Sequence, residues 1–181
     1  MYATSLLSRT VSARNERVRY LGKEINSQVA DGDVVGRGGA GKSALAARLG
    51  VLTGLPVIEL DKHFWSSDLT PLPMDQWKAL QRDLISAKRW ILDGDLGPYD
   101  APEVRLNSAD TVVVLDFALW RCAWRAARRS RENLVFWRWL VSYRRRSLPG
   151  VMTVIAAHAR DADVYVLRKP RDVRRFLARV K

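Results

Sequence analysis

Hydrophobic positions in this chain change period along its length, and the changes mark its elements. Val57-Ile58-Glu59-Leu60, Trp90-Ile91-Leu92-Asp93, Thr111-Val112-Val113-Val114-Leu115-Asp116 and Val164-Tyr165-Val166-Leu167 are short, nearly continuous apolar runs. Runs of this length, bounded by turn residues, read as strands buried on both faces. Between them the pattern turns helical. Ala44 to Leu52 is rich in alanine and leucine, both good helix formers. Asp75 to Lys88 brings Trp77, Leu80, Leu84 and Ile85 to one helical face. Helices are also expected over Ala118 to Arg131, Leu134 to Arg146, Val151 to Arg160 and Asp172 to Val180. Gly54-Leu55-Pro56 and Pro149-Gly150 punctuate the chain, Lys62 to Met74 reads as a loop or broken helix, and Asp100 to Asn107 as a short connection. Strands alternating with helices predict an α/β three-layer sandwich: a parallel five-stranded sheet with helices on both faces.

The first strand is the weak one. Val29-Ala30-Asp31-Gly32-Asp33-Val34-Val35 stands where it is needed, yet Asp31, Gly32 and Asp33 are poor strand residues. Carboxylates buried there are costly, so the expectation is a short or altered strand. Upstream, Met1 to Asn15 holds Arg9 and Arg14, several Ser and Thr, and no acid. Organelle transit peptides share that composition, as does sequence read through from an early start codon. Residues 1–28 therefore read as a poorly ordered or loosely helical extension, with a basic helix from Ala13 to Ile25, and residues 29–181 as the domain. The chain shows no internal repeat and no low-complexity segment.

Composition narrows this further. At 181 residues the chain suits one domain with a sizeable core. No apolar run reaches the roughly 18 residues of a membrane span. Cys122 is the only cysteine, which excludes an internal disulfide and a cysteine-based zinc site and gives it the reading of a small buried hydrophobe. A reducing, cytoplasmic setting is the expectation. The net charge of +12 is carried largely by arginine, the better bidentate phosphate ligand. That balance suits nucleotides, nucleic acid or acidic membranes, and a basic surface on an enzyme accounts for it equally.

The sharpest chemistry lies at Gly36-Arg37-Gly38-Gly39-Ala40-Gly41-Lys42-Ser43, which fits G-x-x-x-x-G-K-[ST] at every fixed position. The glycines let the backbone turn tightly and bring N–H groups to a phosphate. The helix that begins near Lys42 and Ala44 points its positive end at the same anion. Lys42 is placed to reach β- and γ-phosphates, and Ser43 to offer its hydroxyl to Mg²⁺. Asp61, Asp93 and Asp116 end or follow three other strands. In a parallel sheet, ligands bind beyond the carboxyl ends of the strands, so these positions converge. Asp93, followed by Gly94, suits a carboxylate near Mg²⁺ or its water shell. Taken singly, each Asp has the reading of a helix cap or turn residue.

From Val34 to Val180 the chain resembles the adenylate-kinase-like P-loop kinases, especially the small bacterial proteins labelled DNA topology modulation proteins. Leu60-Asp61 followed by Phe64-Trp65 is similar to that group's acceptor-side segment. Trp90 to Gly94 resembles its strand ending in Asp-Gly, and Val114-Leu115-Asp116 its fourth strand. The resemblance implies that Arg125 and Arg129 contact ATP, and that Lys169-Pro170 lies in the loop beside the adenine. Two departures stand out. Asp95-Leu96 replaces the group's usual Asn-Tyr, and the Gly-Phe-Pro-Arg of adenylate kinases is absent after the third strand, which argues against AMP as acceptor.

Residues 117–149 hold nine arginines, Arg121, Arg125, Arg128, Arg129, Arg131, Arg138, Arg144, Arg145 and Arg146, against one acid, Glu132. In a kinase this segment, about 117–160, is a helical lid closing over the triphosphate. Its aromatics, Trp120, Trp124, Phe136, Trp137, Trp139 and Tyr143, suit helix packing, or base stacking beside arginine. The sequence thus supports a Mg²⁺- and ATP-dependent phosphotransferase acting on a small molecule or a nucleotide. Its catalytic candidates are Lys42, Arg125, Arg129 and Asp61, and its nucleotide-binding set runs from Gly36 through Gly38, Gly39, Ala40, Gly41, Lys42 and Ser43 to Ala44, with Lys169 and Pro170. Ser43 and Asp93 are the metal candidates. Asp61, His63, Trp65 and Asp95 are the acceptor-side candidates. The rival is a DNA-associated regulator that binds nucleotide through the same loop and nucleic acid through residues 117–149. A third reading, attachment of 134–146 to a membrane surface, rests on amphipathic character alone.

Overall fold

The computed structural model describes residues 18–20, 29–66, 68, 70–87, 89–129 and 133–180, with the side chains of Val18, Arg19, Tyr20, Pro98 and Arg129 outside the described set. In chain order the elements are β1 (Val18–Tyr20), β2 (Asp31–Gly36), α1 (Lys42–Thr53), β3 (Val57–Glu59), α2 (Leu60–Phe64), α3 (Met74–Ser86) and β4 (Trp90–Asp93). They continue with α4 (Glu103–Leu106), β5 (Thr111–Leu115), α5 (Leu119–Arg129), α6 (Leu134–Arg146), α7 (Leu148–His158), β6 (Asp163–Leu167) and α8 (Pro170–Leu177). The five expected strands form one all-parallel sheet, and β1 adds a sixth at its edge, in the order β1-β6-β5-β2-β4-β3. β1 pairs with β6 from Val18 opposite Val164 to Tyr20 opposite Val166. A strand therefore stands at the centre of the expected Ala13–Ile25 helix; the rest of the 1–28 extension lies outside the described residues.

The valine-rich strands bury both faces because helices cover each of them. On one face, Val34, Ile91, Val113, Leu115 and Tyr165 pack with Leu45 and Leu49 of α1 and Phe176 of α8. On the other, Val35, Leu92, Val112 and Val114 pack with Trp77 of α3, Leu106 of α4 and Ile155 of α7. Among the described residues, no helix is long and apolar enough to cross a membrane.

Three local expectations are corrected. Leu60 begins α2 instead of ending β3; within the expected loop or broken helix from Lys62 to Met74, α2 runs on to Phe64 and Trp65 bridges back to Pro71. The stretch from Asp100 to Asn107 contains α4. Pro149-Gly150 lies inside the first turn of α7, where a proline's missing N–H has no intrahelical partner to lose.

β2 is a full six-residue strand despite its two aspartates. Asp31 sits at its start and accepts from the Arg89 amide at 2.7 Å. Asp33 is fully buried and is held by Arg105, itself 1% exposed, with Nε donating to Asp33 Oδ2 at 2.9 Å. Arg105 also donates from Nη1 and Nη2 to the two Asp100 oxygens at 3.0 and 2.9 Å, and from Nη1 to Gln81 Oε1 at 3.1 Å. The cost foreseen for a carboxylate in this strand is offset by a cation delivered from α4, 72 residues away.

Burial is the largest influence on Asp33 and outweighs Arg105, pushing its carboxyl from the usual 3.8 up to about 6. A raised folded-state value means that the native protein holds this proton more tightly than the unfolded chain. The stability it contributes is full below about pH 4 and is lost as pH rises through about 6. Relative to Asp33→Asn, the wild type is expected to lose about 1 kcal/mol of stability between pH 5 and 7.5. Urea denaturation of both proteins at the two pH values measures this, and a difference that does not change with pH would refute the raised value.

Candidate active site

β2 ends at Gly36 and α1 begins at Lys42, so residues 37–41 form a loop at the carboxyl edge of the sheet, closed by Ala40 N–H donating to Arg37 O at 3.1 Å. Gly39 has φ of 73°, and a Cβ there would collide with the Cys122 carbonyl oxygen, so glycine is required on both counts. α6 lies directly over the loop: a Cβ on Gly38 would sit 3.0 Å from ring atoms of Phe136 and of Trp139. Lys42 turns back on its own loop, its Nζ donating to Gly36 O at 2.9 Å. From α5, Arg125 Nη1 donates to Ala40 O at 3.0 Å. Ser43 and Ala44 are exposed in the first turn of α1.

Asp93 ends β4 beside this turn. Its Oδ1 is buried without a partner. Burial pushes its carboxyl up; the Ser43 hydroxyl and the Lys42 ammonium act against that, while Asp61 and Glu59 act with it. A buried, partly unsatisfied carboxylate beside a serine hydroxyl and a lysine fits a divalent cation carried in with a phosphate. Ser43 and Asp93 are the residues that would hold it. Among the described residues no three His, Cys, Asp or Glu side chains cluster as a protein-only metal cage, so the remaining ligands would be phosphate and water oxygens.

Two cavities flank the loop on opposite faces of the sheet. The first, about 500 Å³, is lined by Ala40, Gly41, Ala44, Arg125, Pro170 and Arg174 among others. It joins three segments that the sequence placed together only through resemblance. Lys169 caps α8 at its rim, and its exposed side chain is not part of the lining. The second, about 600 Å³, lies between β2, α4, α6 and α7; Asp33, Asp95, Asp100, Arg105 and Tyr143 line it together with Trp139, which also covers Gly38. Tyr143 donates from its hydroxyl to Asp95 Oδ2 at 3.2 Å. Burial, and next the Asp95 charge, push the phenol up, so it stays a donor.

The other expected positions are less gathered. Asp61 and His63 are exposed on α2, and Trp65 follows it, edge-on to Phe64 at 4.9 Å and to Tyr99 at 6.4 Å. None of the three lines the second cavity, although Asp61 is near enough to act on Asp93. Arg129 ends α5 and its side chain lies outside the described residues, as do Arg131 and Glu132. Among the arginines of 117–149, Arg125 meets the loop, and Arg144 meets the buried Asp116 at the end of β5, at 3.1 Å. Trp120 and Trp124 do not pack inward as expected; they are 67% and 59% exposed, with Arg121 and Arg128 over their rings at 4.8 and 4.7 Å. Phe136, Trp139 and Tyr143 do pack, in a continuous aromatic row.

Two residues went unnoticed in the sequence. Arg37 occupies a variable position of the loop motif, yet it is 3% exposed, rests on the Tyr143 ring at 5.5 Å, and has Nε and Nη1 unpartnered. Arg105 sits in a stretch read as a connection. No local signal marks either; the unusual carboxylates of β2 were the one hint that a buried cation is needed.

No family model matches the chain, and no curated protein matches it. Solved structures do. A shikimate kinase from Acinetobacter baumannii, in complex with shikimate, matches with a TM-score of 0.57 at 17% identity, over 83% of this chain and 89% of that one. A sugar kinase from Janibacter sp. HTCC2649 matches with a TM-score of 0.51 at 20% identity, over 83% and 93%. A gluconokinase from Sinorhizobium meliloti 1021 matches with a TM-score of 0.50 at 15% identity, over 84% and 93%. Likeness at these identities shows the P-loop kinase-like fold.

Proposed function

We propose that this protein is a phosphotransferase that moves the γ-phosphoryl group of ATP, with Mg²⁺, to a small acceptor. One observation carries the reading: a complete phosphate-binding loop lies between two cavities of suitable size, with Lys42, Asp93 and Arg125 around it. On this reading the nucleotide takes the cavity beside Pro170, and the acceptor takes the one beside Asp95. Mg²⁺, when bound, offsets charge on the β- and γ-phosphates.

The chain's own residues supply the rest. Lys42 leaves the Gly36 carbonyl to meet the transferring group, Arg125 neutralises developing charge, and the aromatic row of α6 excludes water from the loop. The acceptor hydroxyl oxygen bonds to the γ-phosphorus as the bond to the β,γ-bridging oxygen breaks. ADP leaves with that electron pair, and the hydroxyl proton passes to a carboxylate of the acceptor cavity, which we assign to Asp95, since Asp61, expected in this role, does not line that cavity. A coupled assay of ATP consumption across nucleotides, sugars and other hydroxyl compounds tests this. Arg125→Ala is expected to lower the stimulated rate tenfold to several thousandfold, on the order of 1.4 to 5 kcal/mol. No acceptor-stimulated consumption across the panel would defeat the proposal.

A second reading has its own observation. Exposed Trp120 and Trp124 with stacked arginines suit base stacking by single-stranded nucleic acid, in keeping with the DNA-associated regulator held as the rival reading. That function requires an affinity for DNA that falls steeply with salt and declines in small steps as arginines of 117–149 are removed.

A further inference from the structure

The second cavity is negatively charged in a protein of net charge +12. Among the described residues, Asp33, Asp95, Asp100 and Glu103 line it, against Arg105 as the one cation. Lys78, 3.0 Å from Glu103, offsets that carboxylate from outside. Arg105 has little left for an incoming anion: four of its five N–H donors go to Asp33, Asp100 and Gln81, and its charge already faces two carboxylates. Arg37 belongs to the phosphate loop and is not part of the lining. Asp33, fully buried, keeps Oδ1 without a partner. Asp95 accepts from Gly97 N–H at 3.0 Å and from Tyr143. The walls thus offer acceptor oxygens and an unmatched buried carboxylate oxygen. Such a surface repels phosphate and carboxylate groups and rewards hydrogen-bond donors.

Building on the phosphotransfer reading, we propose that the acceptor is a small molecule rich in hydroxyl or amino donors and free of anionic groups, a polyol, sugar or amino sugar. Nucleoside monophosphates and sugar acids are excluded by charge.

A matched panel tests this by ligand-observed NMR on the full chain: sugars and polyols, and the amino, carboxylate and phosphate derivatives of the same skeletons. Binding is expected among neutral and amino compounds, with the anionic partner of each binder weaker by about tenfold or more, a difference of about 1.4 kcal/mol. Val151→Phe, which fills the cavity from α7, should remove that binding and leave ATP binding in place. Asp95→Asn removes the charge while its amide oxygen keeps the Gly97 N–H and its NH2 donates to the Tyr143 oxygen, whose hydroxyl can turn away. It should weaken amino compounds about tenfold and neutral ones less, which separates the two classes and stands as the test should Val151→Phe fail to fold. An anionic compound that binds as tightly as its neutral partner overturns the proposal, and so does a panel with no neutral or amino binder. ATP consumption read on the same panel keeps the two ideas apart. The stated charge preference without consumption defeats phosphotransfer alone, whereas consumption stimulated by anionic compounds defeats the charge preference alone.

Discussion

Lys42→Ala is expected to reduce phosphotransfer by about a thousandfold or more while the protein stays folded. A loss of that size corresponds to about 4 kcal/mol of transition-state stabilisation, the scale of a single charged group acting on a phosphoryl transfer. The geometry explains why folding is spared. Lys42 is half-buried at the head of α1, its recorded bond is to the Gly36 carbonyl of its own loop, and the core of α1 is built from Leu45, Ala46 and Leu49. Alanine at the first helical position costs nothing in propensity. Steady-state turnover and ATP affinity, read beside thermal unfolding, check the prediction. A folded Lys42→Ala variant with unchanged turnover and affinity would mean that this loop binds no transferring phosphate.

Arg105→Met is expected to destabilise the domain by about 3 to 5 kcal/mol, although Arg105 lies in a four-residue helix and hydrogen-bonds to none of the expected site residues. Its removal strands Asp33 and Asp100, 0% and 2% exposed at the side chain, in the absence of the cation that both face. Total stability for a domain of this size is about 5 to 15 kcal/mol, so the loss threatens folding itself. Asp33 Oδ1 is buried without a partner and burial outweighs Arg105 in raising this carboxyl, so the two effects share one cause. Pairing the change with Asp33→Asn should recover part of the loss, since the charge left behind is what costs most. Urea denaturation of the single and double variants decides it. A single variant within about 0.5 kcal/mol of the wild type would show that the triad does not bear on stability.

Some of this was legible along the chain. The runs at Trp90, Thr111 and Val164 announce themselves as buried strands because both faces of a parallel sheet are apolar, and the alternation with helices leaves few architectures. The phosphate loop was legible for the same reason. Its glycines answer a local requirement, seen at Gly39, and its lysine and serine sit at fixed chain distance. Asp93 and Asp116 could be placed at the sheet's carboxyl edge from strand polarity alone.

What the tertiary structure decided depends on partners distant in sequence. The sequence alone could state that Asp33 is costly in a strand, but not that Arg105, 72 residues on, answers it. It could list nine arginines, but not that Arg125 reaches the loop carbonyl while Arg121 and Arg128 lie on exposed tryptophans. Arg37, hidden at a variable motif position, became visible only when α6 brought Tyr143 over it. The charge of the second cavity is set in the same way, by β2, α4, α6 and the turn after β4 meeting around one space. Local propensity and periodicity are properties of neighbouring residues, and the chain carries them openly. Charge balance inside a cavity is a sum over residues that only folding brings within a few ångströms of one another.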